Sequence, residues 1–333
     1  MRVDEDRRAR RPERRTCRDY GKSPRDALVV CGDGDRKSVS FLLAHLSDAH
    51  IGPIPRPNLA ELLGKRATGY ANWLYKRAGQ HDMGVLARIV ADLKAQTPDH
   101  VLMTGDIVNI GLAAEIAQAR DWLSTLGSPQ QVSFTPGNHD AYVVEATQLL
   151  RETFAPWTTG DGTQNGYPYV RKRGGVALIG LDSGVPTGPF IASGRLGPEQ
   201  LARLGVLLDR TRAEGLTRVV FVHHPPNVGG ARILRGLDDA GAFEAVIARH
   251  GAELILHGHN HKPSLSRIAG PHGVDAPVVG VASASARPGG HYPAAAYNLF
   301  EILREDRGVR ITMRRRELNV AGEIVETPAV AIG

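Results

Sequence analysis

Short apolar runs alternate with longer amphipathic stretches along the chain from Ser40 onward. In the first half, SFLLAHLSD, HVLMTGD and QQVSFTPGNHD are each an apolar run that ends in polar residues. Amphipathic stretches of helical length lie between and after them, at residues 82–96, GLAAEIAQARDWLSTL and AYVVEATQLLRETF. Apolar positions that recur every three or four residues indicate helices, whereas short unbroken runs indicate buried strands. The pattern therefore predicts strand–helix units with polar residues at the strand ends.

The second half continues this pattern and then changes. YPYVRKRGGVALIGLDS has the pattern of a hairpin with Gly174 and Gly175 at its turn. GPEQLARLGVLLDRTRAEG and DDAGAFEAVIARHG predict helices, and TRVVFVHHPP and AELILHGHNH predict strands followed by loops. After Lys262 only strands are predicted, at roughly 264–269, 276–281, 296–303 and 308–316. This order is typical of an α/β fold with two facing sheets flanked by helices.

The two ends of the chain differ from its body. Residues 1–38 lack apolar periodicity and are dense in charge, which predicts a disordered basic N-terminal extension or a start codon assigned too far upstream. A basic arm that touches an anionic partner is the alternative. We expect one domain over residues 39–318 and a C-terminal tail over residues 319–333.

Residues 53–80 interrupt the alternation directly after the first polar strand end. Three prolines open the segment, and the amphipathic stretch that follows contains Tyr70, Trp73 and Tyr75. A helical insert fits this pattern. Three interpretations stay open: a lid whose aromatic rings touch the substrate, packing against the core, or a contact with a membrane surface or a second subunit. Contact with a second subunit would make the protein a homodimer.

Charge and composition narrow the class of protein. The net charge is +6, but residues 1–40 hold twelve Lys/Arg against eight Asp/Glu, so the rest of the chain is close to neutral. A near-neutral body gives no strong signal for nucleic-acid binding. No apolar run approaches the roughly 18 residues of a transmembrane segment, and no secretory signal is recognisable. Cys17 and Cys31 are the only cysteines, which excludes a disulfide framework in the body, and we expect a cytoplasmic protein.

Five short motifs rich in aspartate and histidine each follow an apolar run. They are Asp48-Ala49-His50, Gly105-Asp106, Gly137-Asn138-His139-Asp140, His223-His224-Pro225 and Gly258-His259-Asn260-His261. If the strands lie side by side, these loops meet at one sheet edge. Carboxylates, an amide and imidazoles without thiolates suit transition metals such as Mn, Fe, Zn, Co or Ni better than Ca²⁺. Seven ligands exceed the needs of one ion but suit two ions that share a bridging carboxylate.

The ordered set Asp-x-His, Gly-Asp, Gly-Asn-His-Asp, His-His-Pro-Pro and Gly-His-x-His resembles the calcineurin-like metallophosphoesterase superfamily. The similarity runs from about Ser40 to about Arg315 and is closest to the bacterial branch of class III cyclic-nucleotide phosphodiesterases and glycerophosphodiesterases. LDSG at 181–184 and GRLGPEQLARL at 194–204 resemble further stretches of that branch. The resemblance implies a four-layer α-β-β-α sandwich of two mixed sheets, with the helical insert after the first metal motif. Residues 39–318 would then be the metallophosphoesterase domain.

The resemblance also implies cofactors and their ligands. Two divalent or trivalent transition-metal ions, Fe, Mn or Zn, would be bound. The first metal would be held by Asp48, His50 and His261. The carboxylate that bridges both metals would be that of Asp106. The second metal would be held by Asn138, His223 and His259.

His139 would face the substrate as the catalytic residue, without binding a metal. His223 and His224 each precede a proline by two positions; the family pattern favours His223 as the ligand and leaves His224 a supporting or packing role. Asp140 would either orient the His139 ring or cap the following helix. Histidines outside the motifs, such as His81, are interpreted as surface or structural residues.

A dinuclear site of this kind implies hydrolysis of a phosphoester by a metal-bridging hydroxide, because coordination lowers the pKa of water from about 15.7 towards 7. His139 would stabilise or protonate the leaving alkoxide. We expect a phosphodiesterase that acts on a small phosphoester substrate, either a cyclic nucleotide or a glycerophosphodiester. The alternatives are a phosphomonoesterase, a pyrophosphatase on nucleotide-linked lipids, and a non-catalytic binding module, which would lack one or more of these residues.

Overall fold

The computed structural model describes residues 40–77, 79–162, 166–305 and 308–333. The predicted N-terminal extension, residues 1–38, lies outside the described residues. The strands are β1 (Ser40–Leu46), β2 (His100–Met103), β3 (Val132–Phe134), β4 (Tyr169–Arg173), β5 (Val176–Gly180), β6 (Thr217–Phe221), β7 (Leu254–His257), β8 (Ser264–Ile268), β9 (Ala276–Gly280), β10 (Ala296–Glu305), β11 (Gly308–Leu318), β12 (Ile324–Glu326) and β13 (Val330–Ala331). The helices are α1 (Lys65–Asn72), α2 (Met83–Ala95), α3 (Ala113–Leu126), α4 (Val144–Thr153), α5 (Ala155–Thr158), α6 (Pro198–Ala213) and α7 (Ala240–His250).

These strands form two mixed sheets. In sheet one the order is β12-β11-β10-β1-β2-β3, and β13 also pairs with β11. β1, β2 and β3 are parallel, whereas β10 runs antiparallel to β1 with Ser40 opposite Leu303. In sheet two the order is β4-β5-β6-β7-β9-β8, and β5, β6, β7 and β9 are parallel. Because parallel strands end at the same edge, the loops after β1, β2 and β3 leave sheet one together, and those after β6 and β7 leave sheet two together.

Apolar side chains between the layers hold the two sheets face to face. Phe41 of β1, Phe300 of β10 and Phe221 of β6 belong to one buried cluster that joins the inner faces. On the outer face of sheet one, Ile89 and its neighbours on α2, α3 and α4 form a second cluster. On the outer face of sheet two, Leu204 and other residues of α6 and α7 form a third. The result is a four-layer α-β-β-α sandwich, which confirms the predicted fold class.

The helix starts follow from local sequence. Asp82 precedes α2, and its Oδ1 accepts hydrogen bonds from the N–H groups of Gly84 and Val85 at 2.7 and 3.1 Å. These donors have no partner within the helix, so the carboxylate stabilises its first turn. Pro198 is the first residue of α6, where the missing N–H costs no hydrogen bond. No helix in the described ranges is long and apolar enough to cross a membrane.

The insert after the first motif is helical only from Lys65 onward. Helix α1 continues into a π-helical turn, and the preceding part of the insert is irregular. Tyr70 and Trp73 stack with ring centroids 6.2 Å apart and pack on the small buried cluster that contains Tyr142. Tyr75, in contrast, is 87% exposed. Packing therefore accounts for two of the three insert aromatics.

Residues 319–333, the predicted C-terminal tail, add two short strands to sheet one. β12 and β13 both pair antiparallel with β11, with Leu318 opposite Ile324 and Met313 opposite Val330. Ile332 is buried in the cluster between the sheets. Strands of two and three residues are too short to show an alternating pattern, which explains why no strand is predicted there.

A buried arginine joins the edges of the two sheets. Arg171 on β4 donates hydrogen bonds to the carbonyl oxygens of Thr159 at 2.9 Å, Val132 at 2.7 Å and Pro156 at 2.7 Å, and to that of Pro129. Val132 begins β3 in sheet one, so the guanidinium spans from one sheet to the other. Its fork of five N–H donors suits several acceptors at once.

Candidate metal centre

The loops that carry the motifs meet beyond the carboxyl ends of the parallel strands. The Asp48 N–H donates to the Gly105 carbonyl at 3.0 Å, which joins the first and second loops. The His139 N–H donates to Asp106 Oδ1 at 2.8 Å and adds the third loop. The His259 N–H donates to Asp48 Oδ2 at 3.0 Å and connects sheet two to sheet one. The structure therefore brings the predicted site residues of both sheets into one cluster.

Several residues of this cluster have left-handed backbone conformations. The φ angles of Asp48, His50, Asp106, His259 and His261 are 54°, 41°, 53°, 68° and 53°. Among the described residues only nine non-glycine residues have a positive φ, so the site holds more than half of them. Aspartate and histidine tolerate this region better than most residues, but it still costs of order 1–3 kcal/mol each. Such strain persists where function, not local stability, determines the backbone.

Asp106 lies between two groups of imidazoles. Its Oδ2 is 3.8 Å from His50 Nε2 and 3.4 Å from His223 Nε2. Its Oδ1 accepts the N–H of His139, which leaves Oδ2 to face both imidazoles. A carboxylate oxygen between two nitrogen donors is the geometry that a bridging metal ligand requires.

Asp48, His50 and His261 face one another on one side of Asp106. Asp48 Oδ1 is 3.2 Å from His261 Nε2, which is itself 3.3 Å from His50 Nε2. The two Nε2 atoms are so close that they cannot both be protonated, because the two hydrogens would collide. At least one nitrogen is therefore an electron-pair donor, as a metal ligand must be.

His223 and His259 lie on the other side, and Asn138 lines a small cavity together with Asp106 and His259. His259 Nδ1 is 3.2 Å from His223 Nε2. Asn138 Oδ1 is buried and has no hydrogen-bond donor among the residues that the structure describes. A buried oxygen without a donor costs about 1–3 kcal/mol. A cation would satisfy this oxygen, so the cluster fits transition-metal ions.

The two adjacent histidines of the fourth motif point to different partners. His223 faces Asp106 and His259 with Nε2, and its Nδ1 donates to the Thr104 carbonyl at 2.7 Å. The His224 ring lies beside Ser183, with Nδ1 2.7 Å from Ser183 Oγ. A carbonyl partner on Nδ1 fixes the ring and leaves Nε2 for a metal. The geometry thus favours His223 as a ligand and His224 as its support.

His139 is oriented by a backbone carbonyl. Its Nδ1 donates to the Asn109 carbonyl oxygen at 2.5 Å, and the Asn109 side chain donates to the Ile51 carbonyl at 2.8 Å. The ring packs edge-on against His50, with centroids 4.9 Å apart. A carbonyl can only accept, so Nδ1 carries the proton and Nε2 is the nitrogen available for proton exchange.

Asp140 has neither of the two predicted roles. It is fully buried, and its carboxylate accepts hydrogen bonds from the backbone N–H groups of Asp106, Ile107, Val108 and Gly137 at 2.7 to 3.2 Å. It therefore ties the second loop to the third instead of orienting His139 or capping α4. Burial and the nearby Asp106 carboxylate raise the pKa of Asp140, whereas the backbone donors oppose this.

Burial and neighbouring groups set the charge of the ligands. Burial and neighbouring imidazoles lower the pKa of His50 and of His259, which keeps both neutral. Burial alone would raise the pKa of Asp106, but His223 and the other imidazoles outweigh it and hold the pKa well below its usual value. Burial alone would lower the pKa of His223, but the same carboxylate raises it to about 9, so a metal ion that binds His223 would displace a proton.

Three residues of the site lie outside the five motifs. The His81 ring is 4.5 Å from that of His50 and 5.7 Å from that of His261, although the sequence pattern suggests a surface or structural residue. Tyr292 and Arg235 line a small cavity directly over the cluster. They come from segments that are distant along the chain, so no local spacing marks them.

Two larger cavities adjoin this small one. A cavity of about 290 Å³ is lined by His139, Asn138, Tyr142 and Lys65 of the insert. A cavity of about 470 Å³ lies beside His259 and Tyr292. Arg235 lines all three, so the two larger cavities flank the same point above the cluster.

Two solved phosphatase structures have a similar fold. A dimetal phosphatase from Danio rerio matches with a TM-score of 0.56 and 16% identity, covering 87% of this chain and 99% of that one. A purple acid phosphatase from yellow lupin matches with a TM-score of 0.53 and 12% identity, covering 89% of this chain and 54% of that one. At these identities the likeness concerns the fold alone.

One relative is similar in sequence. A protein from Synechococcus sp., named a probable cyclic nucleotide phosphodiesterase, is 32% identical over 179 residues. The matched segment covers 53% of this chain and 63% of the relative, which is less than two thirds of the relative's length.

The two-sheet sandwich gathers carboxylate and imidazole groups that could hold metal ions at its strand ends. The chain belongs to the calcineurin-like phosphoesterase family, whose model matches residues 41–263. This range begins in β1 and includes all of the motifs. The histidine groups on either side of Asp106 could each hold a metal ion.

Proposed function

We propose that this protein is a phosphodiesterase that cleaves a small diester, such as a cyclic nucleotide or a glycerophosphodiester. The observation that carries the proposal is the position of the Asp106 carboxylate between two ligand groups, with the oriented imidazole of His139 beside it. This arrangement suits a phosphorus atom held over two metals next to a proton donor.

The proposed ligand sets rest on the distances within the cluster and, for Asn138, on its place in the third motif. We assign the first ion to Asp48, His50 and His261, the second to Asn138, His223 and His259, and both to Asp106. Iron, manganese and zinc all suit this mixture of oxygen and nitrogen donors. When bound, such a pair of ions supplies an activated water at neutral pH and neutralises charge on the phosphoryl oxygens.

The protein's own side chains position the substrate and move a proton. The carbonyl of Asn109 holds the His139 ring through Nδ1, so that Nε2 of the doubly protonated ring can give its proton to the leaving oxygen. Arg235 and Tyr292 line the cavity over the cluster, where a guanidinium and a phenol can donate to the phosphoryl oxygens. A positioned general acid contributes about 10²–10⁴-fold to the rate.

The two flanking cavities favour a diester over a monoester. A diester has an ester arm on each of two oxygens, and a cavity lies on each side of the point above the cluster. We place the leaving arm on the side of His139, since only that cavity includes the proposed proton donor. The name of the Synechococcus relative also supports a diester substrate.

Hydrolysis of bis(p-nitrophenyl) phosphate and of p-nitrophenyl phosphate by the Mn²⁺-reconstituted protein tests this proposal. We expect a higher kcat/KM for the diester than for the monoester. His139→Ala should lower kcat by about 10²–10⁴-fold while keeping two metal ions per chain, because its ring is not a ligand. Asp106→Asn should lose metal, and the exposed Asp121→Asn should behave like the wild type.

Metal content separates the outcomes. Equal loss of metal in the His139→Ala and Asp106→Asn variants would show that His139 is a ligand. Faster turnover of the monoester would identify a phosphomonoesterase instead. A folded, metal-loaded protein that hydrolyses neither compound would be a binding module.

A further inference from the structure

The cavity of about 470 Å³ adjoins the proposed reaction centre. His259, Arg235 and Tyr292 line both this cavity and the small one over the ligand cluster. Its volume lies within the range of roughly 300–1,000 Å³ that is typical of small-molecule sites. We call it the side cavity. A group attached to a phosphate above the cluster can therefore extend into it.

The charges around the side cavity all have one sign. Arg232, Arg235 and Lys262 line it, and no aspartate or glutamate does. Within the described ranges, none of these three cations has a carboxylate oxygen within 4.0 Å of its side-chain nitrogens. Three like charges around one concave surface repel one another and attract an anion.

Hydrogen bonds fix the loop that carries two of these cations. The carbonyls of Leu234 and Gly236, on either side of Arg235, accept from the N–H groups of Ala192 and Gly194 at 2.9 and 3.0 Å. Further along the same loop, the Gly230 carbonyl accepts from Asn260 Nδ2 at 2.8 Å. Asn260 lies between two proposed metal ligands, so the cation loop is held directly against the centre. A fixed backbone reduces the entropy lost when an anion binds.

We propose that the natural substrate carries a second phosphate group, and that this group binds in the side cavity through Arg232, Arg235 and Lys262. Guanidinium groups bind phosphate oxygens in pairs, which is why two arginines favour phosphate over other anions. The proposal rests on the phosphodiesterase function and specifies its substrate class. A cyclic mononucleotide with no further phosphate has no charge beyond its diester and is therefore excluded, so the substrate is a diester whose retained arm carries a phosphate.

A matched pair of chromogenic diesters tests this substrate class on the Mn²⁺-loaded protein. One is the p-nitrophenyl ester of thymidine 5′-phosphate, and the other is the same ester with an additional 3′-phosphate. Release of p-nitrophenol reports cleavage of the same bond in both. We expect the 3′-phosphate to lower KM by about tenfold, since hydrogen bonds to charged groups contribute about that much.

Charge removal should abolish that preference. In a double variant, Arg232→Gln with Lys262→Gln, we expect equal KM values for the two esters and an unchanged KM for the ester without the 3′-phosphate. Neither position is a proposed ligand or lines the small cavity over the cluster. Arg249→Gln removes an exposed cation of α7 that lines neither cavity, and it should keep the tenfold preference.

Calorimetric binding of thymidine 3′,5′-bisphosphate and thymidine 5′-phosphate separates this proposal from the function on which it rests. Tighter binding of the bisphosphate to the wild type, but not to the double variant, would support a phosphate site in the side cavity even if neither ester is cleaved. Absence of cleavage would then overturn only the phosphodiesterase function. Equal affinities for both nucleotides together with equal KM values for both esters would overturn the second-phosphate proposal and leave the phosphodiesterase function intact.

Discussion

At the scale of single residues, the centre depends on close approaches that only glycine permits. A Cβ on Gly258 would overlap Ser47 Oγ and lie 2.6 Å from Asp48 Oδ2. A Cβ on Gly137 would lie 2.8 Å from the Asp106 backbone nitrogen. Both glycines precede proposed ligands, so their missing side chains allow carboxylates from one loop to reach the next.

His81 provides a test of the first ligand group. Because its ring packs against those of His50 and His261, we expect His81→Ala to weaken binding of one metal ion by about 10–100-fold, as loss of a supporting residue typically does. The second ion should bind with unchanged affinity. Competition with a chromophoric chelator, followed by elemental analysis, measures both affinities.

The exposed His272 is a suitable control for this measurement. Its φ angle is 60°, so His272→Asn is the conservative choice, and it should bind both ions like the wild type. Equal affinities in the His81→Ala variant and the wild type would show that His81 only fills space.

The candidate site residues could be proposed from sequence because each follows a strand in a recognisable local motif. His139 and Asp106 are examples in which two to four neighbouring letters carry the signal. His81, Arg235 and Tyr292 have no such context, since only the packing of distant segments brings them to the site. Asp140 was misassigned for the same reason: its partners are backbone groups of another loop.

At the scale of elements, periodicity predicted the central strands and the long helices. Apolar runs of three or four residues predicted β1 and β2, and amphipathic stretches predicted α2 and α6. The irregular first half of the insert and the short β12 and β13 depend on tertiary pairing. No period is visible in such short segments, so sequence alone could not assign them.

Arg171 makes the junction between β4 and β3 sensitive to substitution. We expect Arg171→Lys to lower the free energy of unfolding by about 3 kcal/mol, because one ammonium group cannot replace a guanidinium among four carbonyl oxygens. Urea denaturation of the metal-loaded protein measures the change.

Arg212→Lys is the matched comparison, since Arg212 pairs with Asp209 on the exposed face of α6. Its effect should stay within about 0.5 kcal/mol. If the two variants unfold at the same urea concentration, the Arg171 hydrogen bonds contribute nothing specific to stability.

At the scale of the whole molecule, bound metal ions should stabilise the folded state by joining loops of the two sheets. The proposed ligands come from loops of both sheets, and the unfolded chain cannot present them together. A ligand at 100 times its Kd stabilises the folded state by about 2.7 kcal/mol. We therefore expect a chelator to lower Tm by roughly 5–10 °C and added Mn²⁺ to restore it.

The Asp106→Asn variant tests whether this effect comes from the proposed centre. Its Tm should not respond to the chelator or to added Mn²⁺, because the bridging carboxylate is missing. A wild-type Tm that is the same with and without metal, by differential scanning calorimetry, would exclude a stabilising role of the ions.

The pairing of β1 with β10 has a consequence for biosynthesis. Ser40 lies opposite Leu303, about 260 residues later in the chain. At a translation rate of 5–20 residues per second, roughly 13–50 s pass between the synthesis of the two strands. One edge of β1 has no partner strand from its own chain during this interval and can pair with other nascent chains.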